Sequence, residues 1–145
     1  PPYWSLFYGN IIWQAIWRDS FDSSLTEKNE KAIAILEEIL ARNPKALHAY
    51  LFLSDIYVNQ WVVQQSRDPQ TLERALEAAQ RAVALNGSNF WAHTALSKVY
   101  LWKKQHEQAI AEAERAIALN PHEDQGYVAL AGILNFAGRP GEAVP

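Results

Sequence analysis

The chain contains no cysteine and no methionine, and only six of its 145 residues are glycine. Without cysteine, disulfides, thiolate nucleophiles and cysteine-ligated metals are excluded. Lysine and arginine are scattered and the net charge is −3, which argues against a general nucleic-acid binder. A signal peptide, with a charged start followed by an apolar run, is also missing, and we expect a cytoplasmic protein.

Motifs for catalysis and metal binding are missing as well. The chain has four histidines, at His48, His93, His106 and His122. They lie far apart and none has the HExxH spacing of a zinc site, so we expect no metal. With no glycine-rich phosphate loop and no nucleophile beside a base, we expect neither a cofactor nor an enzyme. We expect the carboxylate pairs Glu37–Glu38 and Glu112/Glu114 to face outward from helices as solubilising residues.

The sequence does contain a repeat. The segment Glu77–Gly87 returns as Ala111–Pro121, and the two are offset by 34 residues. Apolar residues recur at three-to-four spacing through the chain, which predicts helices, and Asn-Pro or Asn-Gly pairs end them. A period of this length is typical of a stacked array of helix hairpins. The stretch from Tyr57 to Ala75 is nine residues longer than the equivalent stretch from Tyr100 to Ala109. We expect the helix that starts at Ala46 to extend there to about Gln65, followed by a capped turn and a new helix that starts near Pro69.

The repeat resembles the tetratricopeptide repeat (TPR). Its first-helix positions read Tyr50, Leu53, Ser54 and Tyr57, then His93, Leu96, Ser97 and Tyr100, then Tyr127, Leu130, Ala131 and Leu134. On the second helices, small residues such as Ala75 and Ala109 match the family pattern. On the first helices, His93 stands where the family has tryptophan, and we expect it to pack within the hairpin. The resemblance implies an all-α, right-handed superhelical solenoid of antiparallel helix hairpins. We expect a single domain over 1–145, with hairpins at about 2–45, 46–88, 89–122 and 123–145.

The ends of the chain indicate a piece of a longer protein. It starts at Pro1, and its last hairpin stops soon after Ala143, which fits the start of a second helix. Such a hairpin has no following helix to pack on its apolar face. We therefore expect a continuation of the chain, a partner protein or self-association through this hairpin. The repeats are also similar to segments at the C-terminal end of bacterial multidomain regulators, including class III nucleotidyl cyclase-like proteins.

In this family the first helices line the concave side of the array. The resemblance therefore implies a set of residues that face a protein or peptide partner: His48, Leu51, Asp55, Val58, Asn59, Trp91, Thr94, Lys98, Leu101, Trp102, Gln125, Val128, Gly132, Asn135 and Phe136. A looser alignment adds Tyr3, Leu6, Asn10 and Trp13.

Two of these residues, Trp91 and Trp102, have alternative interpretations. Large aromatic side chains in a groove are common anchors for a bound peptide, but both could instead pack between helices. A clamp for a C-terminal carboxylate, as in chaperone-binding members of the family, needs several basic residues. Only Lys98 is basic here and Asp55 lies among the same positions, so we do not expect a carboxylate clamp.

Residues 1–17 carry no charge and are crowded with aromatic side chains. They are too short and too polar for a membrane span of ~20 apolar residues, and we expect a buried first helix, with an interfacial helix as the alternative. Protein or peptide binding is the predicted function. The rivals are a regulatory segment of a signalling enzyme and a membrane-associated scaffold.

Overall fold

The computed structural model describes residues 25–63, 68–136 and 138, and it places six helices and no strand in them. The helices are α1 (Leu25–Arg42), α2 (Leu47–Val62), α3 (Pro69–Leu85), α4 (Phe90–Trp102), α5 (His106–Leu119) and α6 (Asp124–Phe136). The predictions for residues 1–17, including the four groove candidates in that segment, lie outside the described residues. So does Ala143.

The turns form where the sequence predicts them. Helices α1, α3 and α5 end directly before the Asn-Pro or Asn-Gly pairs. Asp68 caps α3 by accepting a hydrogen bond from the backbone N–H of Gln70 at 3.0 Å, and Pro69 is the first residue of the helix, where its missing N–H costs nothing. Asn89 caps α4 in the same way through the N–H of Ala92. These caps satisfy donors that a helix leaves open at its N-terminus.

Helices α2 and α3 form one hairpin, and α4 and α5 form the next. Helix α4 also packs against α3 and α2, and α6 packs against α5 and α4. Each of these two first helices, α4 and α6, therefore contacts both helices of the preceding hairpin. The first helices α2, α4 and α6 run side by side, which gives the array its inner face.

Within the part of the chain that the structure describes, buried side chains form three core clusters. The first joins α1, α2 and α3 around Leu36 and Ile56, the second joins α3 and α4 around Leu96 and Val99, and the third joins α5 and α6 around Ile133. One hairpin cannot enclose such a core, so stability depends on contacts between neighbours.

Two tyrosines connect the clusters. Tyr57 packs against both the first and the second cluster, and Tyr100 packs against both the second and the third. The small residues Ser54, Ser97 and Ala109 are almost fully buried. The helices pack closely at these positions, and a larger side chain there would push them apart.

The two glycines of α6 give a test of this packing. A Cβ atom on Gly126 would lie 2.9 Å from Ile117 Cγ1 and 3.2 Å from Phe90 Cε2, whereas a Cβ atom on Gly132 would meet nothing within 4 Å. We expect Gly126→Ala to lower the free energy of unfolding by about 1–2 kcal/mol, because the Ile117 side chain or α6 itself must shift. Gly132→Ala should raise it by roughly 0.5–1 kcal/mol, because alanine restricts the unfolded chain. Urea unfolding measures both changes, and equal signs would contradict the close approach at Gly126.

Candidate functional site

The concave face consists of the outward positions of α2, α4 and α6, and two contacts fix the register of these helices. Trp102 and Phe136 are 34 residues apart and their rings pack with centroids 5.7 Å apart at an interplanar angle of 59°. Asp55 and Lys98 are 43 residues apart and interact electrostatically. Residues that occupy the same repeat position thus lie opposite one another across neighbouring helices.

The candidate residues from the sequence differ in exposure. Asp55, Trp91, Lys98, Gln125, Val128, Asn135 and Phe136 are exposed, His48, Leu51, Asn59 and Trp102 are half-buried, and Thr94 is buried. Two candidates need a correction or a qualification. Thr94 is only 4% exposed and its hydroxyl donates to the carbonyl oxygen of Phe90 at 3.0 Å, so it is not an accessible groove residue. Leu51 packs against the second core cluster and belongs to the wall beneath the groove.

The most exposed apolar residues at the concave positions lie on α4 and α6. Val128 and Phe136 are each 65% exposed, the highest values among the large apolar side chains that the structure describes, and Trp91 is 48% exposed. Trp102 is half-buried because it packs on Phe136. Large apolar side chains that share one surface mark a binding site more often than scattered ones do.

Lys98 and Asp55 are the charged residues at the concave positions of the described helices. Solvent reaches part of the Asp55 side chain. Neighbouring protein atoms nevertheless desolvate its carboxyl group, and this raises the pKa of Asp55. The positive charge of Lys98 acts in the opposite direction. On the α6 side of Lys98 the equivalent position is Gly132, which offers neither charge nor side chain.

His48 lies at the edge of this face. It lines a cavity of about 440 Å³ between α1, α2 and the α3–α4 turn, together with Leu36, Phe52 and Asn89. Burial lowers the pKa of His48. This location separates His48 from the apolar residues of α4 and α6.

The structure corrects the prediction that Glu112 is a solubilising residue on an outward face. Glu112 is 7% exposed and lies between α4 and α5. Its Oε2 atom is 2.6 Å from His93 Nδ1, and its Oε1 atom accepts a hydrogen bond from Arg115 Nη1 at 2.5 Å. His93 Nε2 donates to the carbonyl oxygen of Gly87 at 2.7 Å. Its neighbour Glu114 is exposed, as predicted.

This network packs the hairpin at the position where the family has tryptophan, in agreement with the role expected of His93. The repeat contains a signal that Glu112 stands at a core position, although it does not identify the partner. At an offset of 34, Glu112 corresponds to Ala78, which is 5% exposed and belongs to the first core cluster. A carboxylate at a core position needs a buried partner, and His93 supplies it.

Within residues 25–63, 68–136 and 138, the His, Asp and Glu side chains form no group that could hold a metal ion. Among the same residues, no helix combines the length and apolar character that crossing a bilayer requires.

Stacked antiparallel hairpins with inner first helices define a TPR solenoid, and solved structures agree. TTC0263, a thermophilic TPR protein in Thermus thermophilus, has a TM-score of 0.75 and 26% identity, over 94% of this chain and 68% of its own. Two MamA structures share the fold. MamA MSR-1 has a TM-score of 0.61 at 20% identity over 97% of this chain and 90% of its own, and MamA AMB-1 has 0.59 at 21% over 97% and 86%.

The family model of the ChAPs, the Chs5p-Arf1p-binding proteins, matches residues 23–130. The chain belongs to this family. No curated protein matches the chain.

Proposed function

We propose that this chain is a protein-binding module that holds a peptide or protein segment on its concave face. The observation that carries the proposal is the exposure of Trp91, Val128 and Phe136 on the adjacent helices α4 and α6. A bound segment would withdraw these side chains from water. This burial stabilises the complex by roughly 25 cal/mol for each Å² of apolar surface covered.

The relatives support a protein partner. The ChAPs are described as proteins that bind Chs5p and Arf1p, and helical arrays with a concave face are used widely as interaction surfaces. Contact of residues 1–17 with lipid, self-association through the last hairpin and a cyclase-like parent stay predictions.

Substitution of the exposed aromatics tests the proposal. Peptides would be selected from a random display library against the purified chain, and their affinities for variants would be measured by fluorescence anisotropy. We expect Phe136→Ala to weaken binding about tenfold or more, because an anchor residue loses its apolar contact. Trp91→Ala should act similarly on peptides that reach the start of α4.

A matched control is Leu119→Ala. Leu119 is 41% exposed, but it ends the second helix α5 and lies outside the concave face. Its substitution should leave binding unchanged, while circular dichroism shows that all three variants keep their helices. Peptides that bind equally well to Phe136→Ala, Trp91→Ala and wild type would refute the concave-face site.

A further inference from the structure

Three turns of the array start with an asparagine and share one backbone arrangement. In the turns that start at Asn43, Asn86 and Asn120, the asparagine N–H donates to a carbonyl oxygen in the last turn of the preceding helix. The asparagine carbonyl oxygen accepts from the N–H three residues later. The next residue is proline in the first and third turns but Gly87 in the second. Asn86 and Gly87 form the one Asn-Gly pair of the sequence, and both are exposed.

The glycine gives the second turn a chemistry that the other two lack. A backbone N–H that follows asparagine can attack Cγ of the side-chain amide, and proline has no N–H to do so. The Gly87 N–H has no hydrogen-bond acceptor among the residues that the structure describes. Its attack forms a bond between Gly87 N and Asn86 Cγ and closes a succinimide ring, while the amide nitrogen leaves as ammonia with the Gly87 proton. Water then opens the ring and leaves aspartate or isoaspartate at this position.

The folded turn holds the two reacting atoms apart. The backbone angle ψ of Asn86 is 96°, which places the Gly87 nitrogen nearly opposite to Cβ about the Cα–C bond of Asn86. The ring can therefore close only after rotation about that bond. The Asn86 side chain is also engaged, because its Oδ1 atom accepts a hydrogen bond from the Ser88 N–H at 3.0 Å. The rate of ring closure thus depends on how often the turn opens.

A buried side chain holds this turn closed. The Gly87 carbonyl oxygen accepts a hydrogen bond from His93 Nε2 at 2.7 Å, and Glu112 Oε2 fixes the other side of the ring, 2.6 Å from Nδ1. His93 and Glu112 are only 6% and 7% exposed, whereas the Ser88 bond lies at the surface, where water can replace it. Rotation about the Asn86 Cα–C bond moves Gly87, so it must break the bond to His93.

Independently of the concave face, we propose that Asn86 is a site of spontaneous covalent modification by this route, with water as the reagent, and that the His93–Glu112 pair sets its rate by restraining Gly87. The loss of ammonia makes the change one-way. It places a carboxylate at the C-cap of α3, where the helix dipole disfavours negative charge. Isoaspartate also adds its Cβ atom to the main chain of the turn. Either product weakens the connection between the hairpins α2–α3 and α4–α5.

Incubation of the purified chain at neutral pH, followed by proteolysis and tandem mass spectrometry, tests the site. Deamidation exchanges NH2 for OH, and the fragment masses locate the change. We expect product at Asn86 and none at Asn43 or Asn120, because proline blocks ring closure there. Gly87→Pro should abolish the product and keep the fold, since proline occupies this position in the two equivalent turns. Equal rates at Asn86 and Asn120, or an unchanged Asn86 even in the unfolded chain, would overturn the site.

Variants test the role of the buried pair. Glu112→Ala should raise the rate at Asn86 about fivefold, since the loss of one hydrogen bond shifts an opening equilibrium by about that factor. Tyr100→Ala is the control for a general loss of stability, because Tyr100 packs in the second and third clusters and not in the turn. It should leave the rate unchanged while circular dichroism shows a folded chain. Glu114→Ala, at an exposed position of the same helix, should change nothing.

The wild-type chain supplies a measurement that needs no variant. Its rate at Asn86 should be lower by about tenfold or more under native conditions than in guanidinium chloride that unfolds it, because ring closure waits for the turn to open. Equal rates in the folded and unfolded chain, or equal acceleration by Glu112→Ala and Tyr100→Ala, would overturn the control by the buried pair. Neither outcome bears on partner binding at the concave face.

Discussion

Replacement of Glu112 by alanine is expected to lower the free energy of unfolding by about 3 kcal/mol, since removal of one member of a buried, hydrogen-bonded pair leaves the other without its partner. The partner is His93, whose side chain is 8% exposed. The loss of the carboxylate destabilises Arg115 less, because the Arg115 side chain is 63% exposed and water can hydrogen-bond to it in place of the carboxylate. Chemical unfolding in urea, followed by circular dichroism, measures the change.

The expected loss of stability in Glu112→Ala arises because Glu112, His93 and the Gly87 carbonyl form one hydrogen-bonded chain. Glu112 joins α5 to His93 on α4, and His93 continues to the Gly87 carbonyl in the turn before α4. Since the Gly87 carbonyl can only accept, His93 Nε2 carries a proton, and a second proton lies between Nδ1 and the carboxylate. Alanine removes the acceptor and leaves Nδ1 in a space that water reaches poorly.

Glu114→Ala is the control, because Glu114 lies on the same helix and is exposed. It should change stability by less than about 0.5 kcal/mol, as surface substitutions usually do. If Glu112→Ala and Glu114→Ala had equal effects, Glu112 would not act as a buried partner of His93, and the hairpin α4–α5 would be held by apolar contacts alone.

Tyr100→Ala should have a comparable effect, a loss of about 3 kcal/mol, since truncation of a large ring in a packed interface creates a cavity. Tyr100 packs against the second cluster, which includes Leu96 and Val99, and against the third, which includes Ile133. The ring therefore connects two hairpins, and a solenoid derives its cooperativity from such contacts between neighbours.

The expected signature of Tyr100→Ala includes a change in cooperativity. With the connection weakened, α6 should unfold at lower urea concentration than α2 and α3, so the m-value of the main transition should fall. Tyr100→Phe keeps the ring and should cost less than about 1 kcal/mol. A Tyr100→Ala variant with wild-type stability and a single transition would show that the clusters are not coupled through this side chain.

Much of the fold was predictable from the sequence because it depends on local features. The ends of α1, α3 and α5 follow from Asn-Pro and Asn-Gly pairs, and the start of α3 at Pro69 follows from the preference of proline for the first helical turn. The first helix of the longer hairpin was less accurately predicted. We expected it to reach about Gln65, whereas α2 ends at Val62, because no breaker marks that end.

The concave positions were predictable as a set but not in their exposure. Thr94 and Lys98 are four residues apart on the same helix, yet one is buried and the other exposed. The difference depends on how closely α2 and α6 approach α4 at each level, which no local pattern contains. The same reason explains Trp91 and Trp102, whose difference in exposure follows from the ring of Phe136.

The sequence by itself determined the helices, the 34-residue register and the residue types that separate or connect the hairpins, because these follow from periodicity and from turn chemistry within a few neighbouring positions. Only the tertiary structure decided that Glu112 is buried against His93, that Thr94 is covered, and that Trp91, Val128 and Phe136 are exposed on α4 and α6. Burial is a property of the space between helices, and contacts such as His93–Glu112 and Trp102–Phe136 join residues that are 19 and 34 positions apart in the chain.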